Sequence, residues 1–181
     1  MAGGVICWDL AGVLGWSYAG ADVVRAWPAN PGGLFAVQRG PWAGVHHGFY
    51  DTRCNGAGMG AQMATARDFI ATKLDLLRPA AMFSEAPIPV RGKTSFDVHR
   101  RLLGLQAIAA MAAHEANVFY ETVPAVTVRK SLTGSGGSKK PDVIWWCRRL
   151  GWEPRDNNAA DALAVLWWAV PYLRERFGGR T

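Results

Sequence analysis

Three acids in this sequence stand where ordinary surface chemistry does not put them. Asp9 ends the apolar run Val5-Ile6-Cys7-Trp8, Glu85 ends the run Ala80 to Ser84, and Asp161 lies inside Ala159-Ala160-Asp161-Ala162-Leu163-Ala164-Val165. Aspartate is depleted in strands, and an ionised carboxylate among apolar neighbours is costly unless a cation or hydrogen bonds compensate. A hard divalent cation would satisfy all three together, and two such ions roughly 3.5–4 Å apart form a clamp suited to phosphodiester hydrolysis. Taken singly, each acid also has a plainer use as a turn cap or ion-pair partner. Two more oxygen donors lie close to Asp161 in sequence. Asn158 is three residues earlier, on the same helix face. Asp156 is five residues earlier and can either supply a carboxylate or serve as the N-cap of the last helix.

The cations are as unevenly distributed as the acids. Ten basic and four acidic residues lie between Arg91 and Gly151, which accounts for the whole net charge of +6. Arg100-Arg101, Arg129-Lys130, Lys139-Lys140 and Arg148-Arg149 are adjacent doublets, expected near loops and helix starts, as on a surface that tracks phosphates; a solvated basic face is the alternative. The turn Gly134-Ser135-Gly136-Gly137-Ser138 precedes Lys139, Lys140 and Pro141. A glycine-rich turn feeding a proline-started helix offers backbone amides and a positive dipole end to a phosphate.

The elements that must position these groups follow from periodicity. Val5 to Trp8, reaching Asp9, and Val13 to Ala19 read as an antiparallel hairpin, and Val45 to Tyr50 as a third strand. Helical spacing runs from Met59 to Leu77 and stops before Pro79, after which Ala80 to Ser84 is a buried strand. Phe96 to Ala113 is a second helix, Val118 to Glu121 a strand, Pro141 to Leu150 a third helix, and Asp156 to Arg176 a fourth. Strands first and helices between later strands imply an α/β domain with a mixed sheet.

Composition excludes several classes. At 181 residues, 50% hydrophobic and 19% charged, with 9 Trp, the chain matches one folded domain and not a disordered segment. Its longest apolar run, Ala162 to Leu173, is shorter than the roughly 20 residues of a membrane span. Asp9 falls where a signal peptide would be apolar, so a cytoplasmic location without membrane association is expected. Cys7, Cys54 and Cys147 lack metal-ligand spacing and read as buried thiols. His46-His47 would point to opposite strand faces, which argues against a shared ligand pair. Trp145-Trp146 and Trp167-Trp168 read as core or subunit-interface residues, with base stacking as the alternative.

In order along the chain, Asp9 with Gly12 and Gly15-Trp16, Glu85 after an apolar strand, Val128 to Gly136, Lys140, and Asn158 to Ala164 resemble the RuvC family of Holliday junction resolvases, and most closely its short phage-type members. The resemblance implies an RNase H-like α/β fold, a mixed central sheet flanked by helices, with residues 1–181 forming one nuclease domain. It also implies a homodimer on branched DNA and a crossover junction endodeoxyribonuclease that incises two strands of like polarity with two Mg²⁺ ions per site, Mn²⁺ being the alternative. Asp9, Glu85 and Asp161 match metal-binding acids, while Asn158 stands where the family usually has Asp or His. Arg129 and Lys140 match basic positions near the scissile phosphate, with Lys140 among the catalytic residues and Lys130 and Lys139 beside them on the DNA. Past Glu85, Ile88 stands where relatives place a ring that stacks on junction bases, and Arg91 and Lys93 extend that DNA-binding loop. Two other readings stay open: a looser nuclease on forks, flaps or RNA:DNA hybrid, and a junction-binding protein without catalysis, for which Asn158 is the hint.

Overall fold

The computed structural model describes residues 3–11, 13–27, 44–53, 58–87 and 96–177. Its strands are β1 (Val5–Asp9), β2 (Val13–Ala19), β3 (Val45–Asp51), β4 (Ala81–Glu85) and β5 (Phe119–Val123). The helices are α1 (Ala21–Ala26), α2 (Met59–Leu77), α3 (Phe96–Glu115), α4 (Ala125–Thr133), α5 (Lys140–Arg149) and α6 (Asn157–Phe177). The sheet order is β3-β2-β1-β4-β5, with β3–β2 and β2–β1 paired antiparallel and β1–β4 and β4–β5 paired parallel. The two parallel pairs join through α2 and α3, as parallel connections require.

Strand parity decides what each face carries. On β1, Val5 and Cys7 pack with α6, whereas Ile6 and Trp8 belong to the opposite core, built from Ala66, Ile70 and Leu74 of α2 and Leu105 and Ala109 of α3. On β4, Ala81 and Phe83 share the α6 side, and Met82 the other. Asp9 and Glu85 continue the odd-numbered series. They therefore leave the strand ends on the face covered by α6, whose Asp161 is 6% exposed in the midst of that core.

Helices α1 and α4 are additions to the elements read from sequence. α4 is rich in β-branched residues, which lowers helix propensity, yet its Ala125, Val128 and Leu132 form a buried stripe that packing rewards. It places Arg129-Lys130 inside a helix, where a loop or helix start was expected, and Arg148-Arg149 fall in the last turn of α5, where cations complement the dipole. Cys7 and Cys147 are buried free thiols, as expected; Cys54 lies outside the described residues. Of the four helical tryptophans, Trp167 is buried and Trp146 and Trp168 pack against the α6-side core. Trp145 departs from the core reading at 53% exposure, because α5 buries Val143 and Cys147 and a residue midway between them faces outward. Among the described residues, no helix is long and apolar enough to cross a membrane.

Candidate active site

Each acid is held by an identifiable local device. Asp9 pairs in register with Gly15 on β2. A Cβ at Gly15 would land on the carbonyl of Asn158, so the first turn of α6 can lie against the hairpin only because residue 15 is glycine. Two residue pairs further along, on the same face, Ser17 donates a buried 2.8 Å hydrogen bond to the carbonyl of Ala162 and fixes the rotation of α6 over the sheet. At the start of α6, the Asp156 carboxylate accepts the N–H of Ala159 at 2.7 Å, the geometry of an N-cap. Asn158 and Asp161 follow, one turn apart. Glu85 is held from the other side of the sheet: the Gln106 amide donates to its backbone carbonyl at 2.6 Å. The Gln106 carbonyl oxygen is in turn 2.6 Å from the Tyr120 hydroxyl and 3.1 Å from that of Ser84, and the two hydroxyls lie 2.7 Å apart.

The three acids repel one another in a poorly solvated site. Burial, then the charges of Asp161 and Glu85, push the Asp9 carboxyl well above its ordinary range. Burial and Asp161 raise Glu85 to about 7, against the opposing pull of Arg129 and Lys140. Burial likewise raises Asp161, although Lys140 stands with its Nζ 3.4 Å from Asp161 Oδ2 and Arg129 also lowers it. Asp156 adds negative charge to both Asp9 and Asp161. The cluster is thus short of positive charge even with Lys140 and Arg129 at hand. Its donors are hard oxygens of the kind that Mg²⁺ or Mn²⁺ takes, so the residues fit such ions in kind. Among the described residues, no three His, Cys, Asp or Glu side chains yet converge on a common point.

The structure therefore gathers Asp9, Glu85, Asp161, Asp156, Arg129 and Lys140 into one electrostatic neighbourhood, with Asn158 on the α6 turn above it. Lys130 and Lys139 are exposed and do not enter the electrostatics of the three acids. Ile88, Arg91 and Lys93 lie outside the described residues. The glycine-rich turn is shaped by Thr133, whose hydroxyl donates to the Arg129 carbonyl, accepts the Ser135 N–H and lies 2.6 Å from the Ser138 hydroxyl. At the start of α5, the Lys139 N–H is taken by the Asp142 carboxylate at 2.8 Å, so this amide of the expected phosphate cradle is already engaged. Sequence reasoning missed Ser17, Ser84, Gln106 and Tyr120. None carries a motif, and only the fold shows what they hold.

Two solved structures share this architecture. Thermus thermophilus RuvC superposes with a TM-score of 0.68 at 19% identity, covering 96% of each chain. T. thermophilus RuvC in complex with a Holliday junction substrate does so with a TM-score of 0.69, also at 19% identity and 96% of each chain. No known sequence family matches the chain, and no curated protein does. At this identity the likeness is one of fold: the chain has the RNase H-like architecture of RuvC, a mixed five-stranded sheet flanked by helices.

Proposed function

We propose that this chain is a divalent-metal-dependent endonuclease that cuts branched DNA, four-way junctions foremost, by phosphodiester hydrolysis. The observation that carries the reading is the cluster of Asp9, Glu85 and Asp161, raised in pKa by burial and mutual repulsion and flanked by Arg129 and Lys140, on an RNase H-like sheet. That one solved structure of the same fold is a complex with a Holliday junction substrate directs the choice of substrate. Asp9, Glu85 and Asp161, with the side-chain carbonyl of Asn158, would hold Mg²⁺ or Mn²⁺, two ions per site. When bound, such ions polarise a phosphate oxygen and lower the pKa of an attacking water.

The chain's own residues supply the rest. Lys140 and Arg129 draw a phosphate toward the acids and offset its charge. Gln106 keeps the end of β4 in place, so that Glu85 enters the site from a fixed backbone. Ser17 and Gly15 do the same for α6 and Asp161. A junction presents two equivalent strands, which a C2 homodimer with one site per protomer would match.

The test is incubation of the purified protein with an end-labelled four-way junction and Mg²⁺, with sedimentation of the protein alone and on DNA. Paired, symmetry-related incisions by a dimer that leave 5′-phosphates are expected. Tight binding without incision in either Mg²⁺ or Mn²⁺ would point to a junction-binding protein. A monomer cutting forks, flaps and hybrids equally well would point to the looser nuclease.

A further inference from the structure

Helix α5 starts at the acids and leads away from them. At its first residue the Lys140 Nζ stands 3.4 Å from Asp161. Arg149 ends the helix nine residues later, roughly 14 Å further out at about 1.5 Å per residue. The inner side of α5 is occupied by Val143 and Cys147, both fully buried. Its outer side carries Trp145, half exposed, and, one turn later, the exposed Arg148 and Arg149.

These outer groups are arranged around one another. The Arg149 guanidinium lies over the Trp145 ring, 5.0 Å from its centroid, and Trp146 meets the same ring at right angles with centroids 5.0 Å apart. The indole is thereby held in one orientation with a face already taken by a cation, which suits a rim laid along a surface and not a platform for a stacked base. Arg148 comes within 3.8 Å of Glu153, but that carboxylate is 81% exposed, and such surface pairs contribute little. The Asp142 carboxylate is engaged at the helix's own start by the Lys139 N–H. Two guanidinium groups and an apolar plate with an N–H at its edge therefore face solvent with their charge nearly uncompensated.

A surface that alternates sugar and phosphate matches that set. The ring and the arginine stems would lie against sugars, and the guanidinium groups and the indole N–H would meet phosphate oxygens. An acidic protein offers the same charge, but a strand whose phosphate lies at the acids must also leave the site, and α5 leads out of it.

We infer that the outer side of α5 holds one paired arm of the junction by its sugar–phosphate backbone, about four base pairs from the cut. The distance follows from the helix: roughly 14 Å is four steps of about 3.4 Å along a duplex. The inference rests on the nuclease reading above and adds to it how far from the branch an arm must stay paired.

The experiment measures junction binding in Ca²⁺ against salt, and cleavage in Mg²⁺ at saturating junction, for the parent, Trp145→Ala and the double variant Arg148→Ala/Arg149→Ala. The double variant should flatten the log–log salt slope by about 1.8, two phosphate contacts at roughly 0.9 each. Trp145→Ala should weaken binding by about ten-fold, the loss of one partly buried ring, with the slope nearly kept. Incision at saturation should match the parent in both, because neither group reaches the acids. Arg67→Ala, on α2 at the opposite face of the sheet, should alter nothing. Neutral methylphosphonates, placed one at a time along each strand, should weaken parental binding about four nucleotides from the cut and add no penalty there in the double variant. An unchanged slope and affinity in the double variant overturn the arm contact and leave this face to an acidic protein, while continued cleavage upholds the nuclease reading. Loss of incision at saturation in a variant that melts like the parent also overturns it, since the face would then act on the site itself. A parent that neither binds nor cuts junctions overturns both readings.

Discussion

The two faces of the sheet are built from the same strands by the same alternation, yet they differ in what the alternation ends on. Toward α2 and α3 the series Ile6 and Trp8 on β1, continued by Leu10 just past its end, meets Ile70, Leu74 and Leu105 and remains apolar. Toward α6 the series Val5, Cys7 breaks into Asp9, Ala81, Phe83 breaks into Glu85, and β2 offers Gly15 and Ser17. One face is a core that, at the end of β4, closes on the hydrogen-bonded Ser84, Gln106 and Tyr120 and carries no charge there. The other is a core that stops a residue short of completion and leaves carboxylates where the next apolar side chains would stand. The difference teaches that the site is made by strand length and parity more than by any loop.

Breaking the acid side should have the largest effect. Asp9→Asn, Glu85→Gln and Asp161→Asn are each expected to lower junction cleavage by more than the roughly 10–100-fold typical of indirect metal-site lesions, with DNA binding retained. Near-parental rates in any one of them would remove that residue from the site. Without metal, the same three substitutions should raise the unfolding temperature, because each deletes a repelling charge from the cluster. The apolar side should answer in the opposite way. Ile70→Ala, at a fully buried position, should cost about 2–5 kcal/mol in denaturant unfolding while cleavage per folded molecule stays unchanged.

Acidity sharpens the same contrast. Glu85 is raised from 4.5 to about 7, so the folded protein holds that proton more tightly than the unfolded chain does. The resulting stability is present in full below pH 4.5 and is lost as pH climbs through about 7. Metal-free protein should therefore melt at lower temperature at pH 8 than at pH 5, and Glu85→Gln should flatten that slope. Cleavage should rise over the same interval as the carboxylate ionises, and more Mg²⁺ should move its midpoint to lower pH. A melting temperature indifferent to pH would show that Glu85 is not under this strain.

The smallest effect is expected at Asp156, at the entrance to α6. Asp156 caps the helix through Ala159, and serine accepts the same bond, so Asp156→Ser should preserve both the fold and most of the activity. Asn158→Ala should abolish cleavage if its side-chain carbonyl completes the site. Incision rate against Mg²⁺ concentration separates the two, and the reverse pattern would make Asp156 the ligand.

Most of this architecture was legible because periodicity is a local signal. The five strands and the four helices α2, α3, α5 and α6 announce themselves in runs whose ends shift by a residue or two. Helices α1 and α4 do not: α1 has six residues, too few to show a period, and α4 is written in valine and threonine and becomes helical because its stripe meets α5 and α6. At the site, misplaced acids were visible as residues out of keeping with their neighbours. The Ser84, Gln106 and Tyr120 network was not, since its members are ordinary polar residues brought together by β4, α3 and β5. Gly15 was visible as one of the residues of the resemblance, but without a physical reason. Its reason, the carbonyl of Asn158, lies far along the chain.

That glycine also bears on how such a chain can diverge. The apolar positions of both cores tolerate exchange of one hydrocarbon for another as long as volume is kept. Position 15 admits no side chain at all while α6 stays where it is. Any variant of this chain that keeps α6 over the sheet must therefore keep glycine opposite the strand-end aspartate, so one of the positions least open to change is one that buries no side chain at all.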